Sequence, residues 1–205
     1  MINHLKKDSL PVVESFYSLQ GEGYNTGKAA FFIRLAGCDV GCNWCDSKSS
    51  WSRNGQPLVP IEQIVADAIL HNAKYVIITG GEPLMHPLDE LCSLLKKNKL
   101  KILLETSGTH PLSGEFDWIC LSPKRNRPPL PDIYNKASEL KVIITCTGDF
   151  LWAEESRLLV TKRCKLYLQP EWSTRSALLP NIIKYIKENP HWKLSLQTHK
   201  FINIS

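Results

Sequence analysis

The chain has 205 residues, 43% of them hydrophobic and 22% charged, the length and make-up of a single globular domain, 1–205, with a core of its own. A formal net charge of +5 is too modest to mark a nucleic-acid binder, and the short basic runs Lys96-Lys97-Asn98-Lys99 and Lys124-Arg125-Asn126-Arg127 read as solvated surface. No apolar run approaches the ~18 residues of a membrane span, the first ten residues hold charges and no apolar signal core, and the seven cysteines lack the spacing of a disulfide framework, so a reducing cytoplasm is the expected compartment.

In chain order, the apolar run 29–36 predicts a first strand. The turn formers Asp39, Gly41, Asn43 and Asp46 make the next segment a loop. Pro60 opens a helix whose apolar residues recur at helical spacing from Ile61 to about Asn72. A strand at 75–79 ends in Thr79-Gly80-Gly81-Glu82-Pro83, and a second helix follows Pro87 and ends near Asn98. Strands are expected at 101–105, 117–121 and 140–146, then a helical pattern at 150–161. A strand at 165–168, a helix at 177–189 stopped by Pro190 and a strand at 193–197 complete the chain. Short strands separated by such helices are βαβ units and build a parallel sheet. Seven strands fall short of the eight of a closed barrel, so the expected fold is α/β, an incomplete TIM-like barrel. Polar signals follow the strands: the cysteine loop, the Gly-Gly turn, Glu105-Thr106-Ser107-Gly108, Ser122-Pro123-Lys124, Gln169-Pro170-Glu171 and Gln197-Thr198-His199-Lys200. Barrel enzymes place their sites at the carboxyl ends of the strands, so these six loops predict one site.

The sharpest signal is Cys38-Asp-Val-Gly-Cys42-Asn-Trp-Cys45. Three thiolates this close can meet one metal centre, yet structural zinc closes with four ligands, and so does an iron–sulfur cluster held wholly by protein. A cluster with one open iron fits the count. A zinc site completed by a distant Cys or His remains compatible with the spacing. Cys92, Cys120, Cys146 and Cys164 lie in or beside apolar runs and read as small core residues. In the Gly-Gly turn, two glycines let the backbone bend sharply and approach a ligand. Glu82 and nearby carbonyls offer acceptors for an ammonium group.

The C-x3-C-x2-C loop followed by Gly-Gly-Glu-Pro resembles the radical S-adenosylmethionine enzymes. Ser18-Leu19-Gln20-Gly21-Glu22-Gly23, Phe32-Ile33-Arg34-Leu35, Trp44-Cys45-Asp46, Glu105-Thr106-Ser107-Gly108-Thr109, Ser122-Pro123-Lys124, Glu139-Leu140-Lys141, Leu168-Gln169-Pro170 and Gln197-Thr198-His199-Lys200 carry the resemblance almost end to end. Within that superfamily it points to the 7-carboxy-7-deazaguanine synthase family of the queuosine pathway. The resemblance implies a partial barrel of radical S-adenosylmethionine type. It implies a [4Fe–4S] cluster on Cys38, Cys42 and Cys45, with S-adenosylmethionine on the fourth iron. One-electron cleavage of that cofactor yields a 5′-deoxyadenosyl radical, which takes hydrogen from 6-carboxy-5,6,7,8-tetrahydropterin. The ring contracts, ammonia leaves and 7-carboxy-7-deazaguanine results.

The implied substrate contacts are Leu19, Gln20, Gly21, Arg34 and Thr79, with His199 and the terminal Ser205 at the pterin. Arg34 suits a carboxylate through two parallel hydrogen bonds; the bland alternative is a salt bridge at a strand edge. Glu22 beside them is either orienting or structural. The implied cofactor contacts are Trp44, Cys45, Asp46, Gly81, Glu82, Ser122, Pro123, Lys124, Gln169, Pro170, Glu171 and Trp172, of which Glu171 and Trp172 depart from the family pattern. Mg2+ is expected on Ser47, where threonine is usual. The resemblance further implies a homodimer and an electron donor such as flavodoxin or ferredoxin, with no membrane or direct nucleic-acid partner. A glycyl-radical activase is the competing reading; Arg34 and His199 favour a small acidic substrate over a protein. Phe201, Ile202 and Ile204 give the tail enough apolar surface to be tied down as a lid.

Overall fold

The computed structural model describes residues 8–204. Among them nine strands form one sheet in the order β3-β1-β2-β4-β5-β6-β7-β8-β9. The strands are β1 Ser9–Leu19, β2 Ala29–Leu35, β3 Leu58–Pro60, β4 Tyr75–Gly80, β5 Lys101–Thr106, β6 Trp118–Leu121, β7 Glu139–Ile144, β8 Lys165–Pro170 and β9 Trp192–Leu194. Neighbouring strands from β2 to β9 pair in parallel. β1 runs antiparallel to both β2 and β3. The outermost strands, β3 and β9, do not pair with each other, so the barrel is open, as the strand count anticipated.

All seven expected strands are present. β1 and β3 were not expected. Pro11 sits within β1, and proline demotes a run from a central strand; β1 is accordingly at the margin, with Glu14, Ser15, Tyr17 and Leu19 exposed. The helices are α1 Ile61–Leu70, α2 Asp89–Lys97, α3 Pro131–Tyr134, α4 Asp149–Arg157, α5 Arg175–Glu188 and α6 Thr198–Phe201. The four-residue α3 and α6 were not expected, being too short to show a period. α2 has Asp89 and Glu90 in its first turn and Lys96 and Lys97 in its last, the arrangement that complements the helix dipole. The basic run at 96–99 thus ends a helix, and Lys96 also pairs with Glu115 at 2.5 Å.

Strand alternation divides the side chains into two sets. One face of the sheet carries Ile33, Leu35, Val76, Ile78, Ile102, Leu104, Leu140 and Val142, all buried in the main core with Ile64 and Ala68 of α1, Leu91 and Leu95 of α2 and Ile182 of α5. The other face lines the barrel interior. There Ala30, Phe32, Ile77 and Leu103 form a small separate core against Phe16, Tyr75 and Trp118. Toward the carboxyl ends of the strands the interior turns polar, with Arg34, Thr79, Glu105, Lys141 and Gln169 around one cavity.

Candidate active site

Two glycines seat the cysteine loop. Gly80 has φ +144°, and a Cβ there would lie 2.1 Å from the Leu35 carbonyl oxygen. A Cβ on Gly81 would lie 2.3 Å from the Gly37 carbonyl oxygen and 2.8 Å from Cys38 Cβ. Only glycine lets the β4 end pack this closely on the chain that enters the cysteines. The Gly81 N–H donates to Leu35 O at 2.9 Å and the Glu82 N–H to Gly37 O at 2.8 Å. A second brace comes from residues 50–51: Gly37 N–H donates to Ser50 O at 2.7 Å and Cys38 N–H to Trp51 O at 3.0 Å. The third is the basic run at 124–127. Arg127 donates to Asp39 O at 2.8 Å and pairs with its carboxylate at 2.6 Å, while Asn126 donates to Val40 O at 2.7 Å. Apart from Lys124, expected at the cofactor, that run reads in the sequence as solvated surface; Asn126 and Arg127 clamp the loop.

Cys38, Cys42 and Cys45 are half-buried and line the same cavity, of ≈ 280 Å³. Cys45 Sγ accepts from the Ser47 N–H and from the Trp51 indole N–H, each at 3.4 Å. Among the described residues no three His, Cys, Asp or Glu side chains converge as a single metal ion requires. The three cysteines share one cavity wall, and three thiolates are the donor set of a cluster with one open iron. Burial raises the Cys38 and Cys42 thiols and the neighbouring cysteines add to the rise, while Lys124 opposes it at Cys42. Cys92, Cys120 and Cys164 are buried, as expected of core residues. Cys146 is not: it is exposed in the turn between β7 and α4.

Leu19, Gln20, Gly21, Arg34, Thr79 and His199 all line the cavity. So do Trp44, Asp46, Ser47, Gly81, Ser122 and Lys124 on the cluster side, and Gln169, Pro170, Glu171 and Trp172 after β8. Pro123 is buried and is not part of the cavity lining, and Ser205 lies outside the described residues. Glu82 departs from its expected place. It is buried, and its carboxylate accepts from Thr106 Oγ1 at 2.6 Å, Ser107 N at 2.8 Å, Leu84 N at 3.0 Å and the Ser107 hydroxyl. With its oxygens engaged below the cavity, Glu82 ties the ends of β4 and β5 together. Arg34 makes the strand-edge salt bridge, Nε to Glu14 at 2.7 Å, while Nη1 donates to Ser47 Oγ at 3.2 Å and the side chain lines the cavity.

The motif residues Gln20, Glu22, Asp46, Glu105, Lys141 and Gln197 join in a buried charge network beside the substrate set, a pairing the sequence did not reveal. Lys141, pointing inward from β7, sits 2.5 Å from Glu22 and 3.0 Å from Glu105. Gln20 Nε2 donates to Glu105 at 2.9 Å. Gln197 Nε2 donates to Glu22 and to Asp46, both at 2.8 Å, and Lys200 reaches Asp46 at 2.6 Å. Burial alone would raise the Glu22 carboxyl, but the charge and hydrogen bond of Lys141, with Gln197, outweigh it and hold it low. Burial opposes the charge on Lys141, and the acidic groups around it hold it well above the ordinary lysine range. Glu139, next along the same face of β7, is pushed up to about 7 by burial and by Glu105. The signal available was a lysine at the centre of the buried strand Glu-Leu-Lys-Val-Ile-Ile.

The tail crosses this network. Thr198 donates to Gly21 O through N–H at 2.9 Å and Oγ1 at 3.0 Å, and a Cβ on Gly21 would strike His199 Nδ1 at 2.1 Å. The Phe201 ring packs edge-on against Trp172 at 5.1 Å, with the Arg175 guanidinium 3.8 Å over the same indole. Burial lowers His199, against the pull of Glu22 and Asp46.

Comparison with known proteins agrees with this geometry. The Radical SAM superfamily model matches residues 32–121. The chain is 48% identical over 97% of its length to the 7-carboxy-7-deazaguanine synthase of Flavobacterium psychrophilum, of which 94% is covered. It is 48% identical over 99% of its length to the synthase of Synechocystis sp., with 97% covered, and 36% identical over 95% to that of Escherichia coli, with 99% covered. The crystal structure of QueE from Escherichia coli superposes with a TM-score of 0.81 at 32% identity, covering 95% of this chain and 97% of that one. With a parallel, open sheet and identity at this level over nearly its whole length, the chain belongs to the 7-carboxy-7-deazaguanine synthase family of the radical S-adenosylmethionine superfamily.

Proposed function

We propose that this chain converts 6-carboxy-5,6,7,8-tetrahydropterin to 7-carboxy-7-deazaguanine with loss of ammonia. The observation that carries the reading is the convergence of the three cysteines, Arg34 and the tail on one cavity at the carboxyl ends of the strands. Membership of the superfamily implies a [4Fe–4S] cluster and S-adenosylmethionine, which supply the one-electron chemistry when bound. The protein contributes position, shielding and charge. Cys38, Cys42 and Cys45 would hold the cluster. Gly81, packed against Gly37 and Cys38 at the cavity wall, would meet the methionine end of the cofactor through its backbone. Lys124, held by the Ser122 carbonyl at 2.8 Å and stacked over Trp44 at 5.2 Å, and Gln169, Pro170, Glu171 and Trp172 frame the rest of the cofactor.

For the substrate, the parallel-stacked Phe16 and Phe32, 5.0 Å apart, give the cavity a flat apolar wall suited to a fused ring. Gln20, Glu22 and Glu105 supply fixed acceptors for the ring's N–H edge. Arg34 takes the carboxylate. His199, at the cavity wall, offers its ring nitrogens to the polar edge of the pterin. Ser47 Oγ lies 3.4 Å from Asp46 Oδ1, and this pair of oxygens suits a cation completed by water and substrate oxygens. Arg34 donates to Ser47 Oγ at 3.2 Å, so a Mg2+ held by Ser47 would take the place of that hydrogen bond and would leave Nη1 for the substrate carboxylate. We assign the chain further as a single-domain homodimer of the cytoplasm, served by a flavodoxin or ferredoxin. Among the described residues no helix is long and apolar enough to cross a membrane.

Anaerobic reconstitution tests the cofactor set. The protein should turn brown with four iron and four sulfide per chain, and S-adenosylmethionine should change the spectrum of the reduced cluster. A colourless zinc protein would reject the reading. Two substitutions test its parts. Ser47→Ala should raise the Mg2+ needed for half-maximal turnover several-fold, and Ser47→Thr should behave as the wild type; superimposable Mg2+ titrations for wild type and Ser47→Ala would remove Ser47 from the metal. Deleting residues 201–205 removes the Phe201–Trp172 contact. It should raise KM for the pterin about tenfold, a loss of ~1.4 kcal/mol, and leave S-adenosylmethionine binding nearly intact. Unchanged pterin kinetics would show that the tail is no lid.

A further inference from the structure

We propose that Trp51 sets the reduction potential of the cluster by donating its indole N–H to the sulfur of Cys45. This rests on the reading that Cys38, Cys42 and Cys45 hold the cluster.

The contact is 3.4 Å from Nε1 to Sγ. Among the described residues it is the one side-chain N–H that donates to any of the three sulfurs; the remaining donor to Cys45, Ser47 N, belongs to the backbone. The indole is also fixed. Trp51 N–H donates to Lys48 O at 3.1 Å and Trp51 O accepts from Cys38 N at 3.0 Å. One residue therefore joins both ends of the cysteine loop, by its carbonyl to Cys38 and by its ring to Cys45. The ring is half-buried in the cavity wall, and Lys48 Nζ lies 5.9 Å over it, a cation that polarises the indole and sharpens its N–H as a donor.

Reduction adds an electron to the cluster and increases the negative charge on its thiolate sulfurs. A donor aimed at a sulfur is therefore bound more strongly in the reduced state, which raises the potential. Away from bulk water the difference grows, because the hydrogen bond is less screened. Packing alone does not require the N–H, since a phenyl ring fills most of the same space. The consequence for function is the ease with which a weak biological donor delivers the electron.

Potentiometric titration of the reconstituted holoenzyme, followed by the spectrum of the reduced cluster, tests this. Trp51→Phe removes the N–H and keeps an aromatic ring. At fixed solution potential its reduced-to-oxidised ratio should fall about tenfold, a midpoint ~59 mV more negative for a one-electron couple, with iron and sulfide content unchanged. Wild-type sequence grown with fluorinated tryptophan, whose indole N–H is a stronger donor, should move the opposite way with no change of fold. A midpoint that stays put in the fluorinated protein overturns the proposal, even where Trp51→Phe loses its cluster, because Trp51 would then act only by packing. Absence of any four-iron cluster from the wild type would instead reject the underlying cofactor assignment.

Discussion

Cys42→Ser should leave a folded protein with an incomplete cluster and turnover below about a thousandth of the wild type, a loss of ~4 kcal/mol or more. A serine hydroxyl is a poor substitute for a soft thiolate on iron, and the loop offers no spare ligand. Cys38 and Cys45 are the other sulfurs of this cavity, and the remaining cysteines lie in the core or, for Cys146, on the surface. The fold should survive, because the loop is braced by backbone bonds that do not involve the Cys42 side chain: Gly37 to Ser50, Cys38 to Trp51 and Glu82 to Gly37. Iron and sulfide analysis with far-ultraviolet circular dichroism measures both halves of the expectation. Cys146→Ser, at the exposed position, is the control and should keep full cluster content. Full iron and turnover in Cys42→Ser would remove it from the ligand set.

Lys141→Met should cost about 3–5 kcal/mol of stability, and it should weaken pterin use more than cofactor binding. The ammonium is buried between Glu22 at 2.5 Å and Glu105 at 3.0 Å. Without it two carboxylates face each other in a poorly hydrated site, and Glu22 loses the chief influence that holds its carboxyl low. The sign of the pH effect follows. In the wild type the depressed Glu22 contributes stability above its unfolded-state value, lost as the pH falls through the folded one. The variant lacks that contribution, so its deficit is full near neutral pH and shrinks in acid. Gln20 and Gly21, which share a loop with Glu22, should lose their register, raising KM for the pterin. Urea unfolding at neutral and acid pH, paired with kinetics, checks this; equal stabilities at neutral pH would show that the pair is worth nothing net.

The site was legible where local chemistry carries its own pattern. Gly80 and Gly81 announce a close approach, and the structure shows what approaches: Leu35 O and Gly37 O. The cysteine spacing announces one centre, and the strand-end loops announce one face. Contacts across long stretches of chain left no such mark. Lys141 meets Glu22 119 residues away and Gln197 meets it 175 residues away, so the network exists only once the sheet is rolled. Glu82 shows the converse. Its position beside the glycines suggested a ligand contact, yet Thr106 and Ser107 from the next strand claim its oxygens. β1 was hidden by Pro11 and its exposed outer half, and α6 by being a single turn. Cys146 fell two residues past the end of β7, in the turn, which turned an expected core thiol into a surface one.

Mass analysis of a single anaerobic turnover mixture tests the central claim most directly. It contains reconstituted enzyme, reductant, S-adenosylmethionine, Mg2+ and 6-carboxy-5,6,7,8-tetrahydropterin. The account predicts a product lighter than the substrate by one ammonia, coincident with authentic 7-carboxy-7-deazaguanine, and one ammonia released for each product formed. Cleavage of S-adenosylmethionine with the pterin recovered unchanged would contradict it, because the cluster would then serve another substrate.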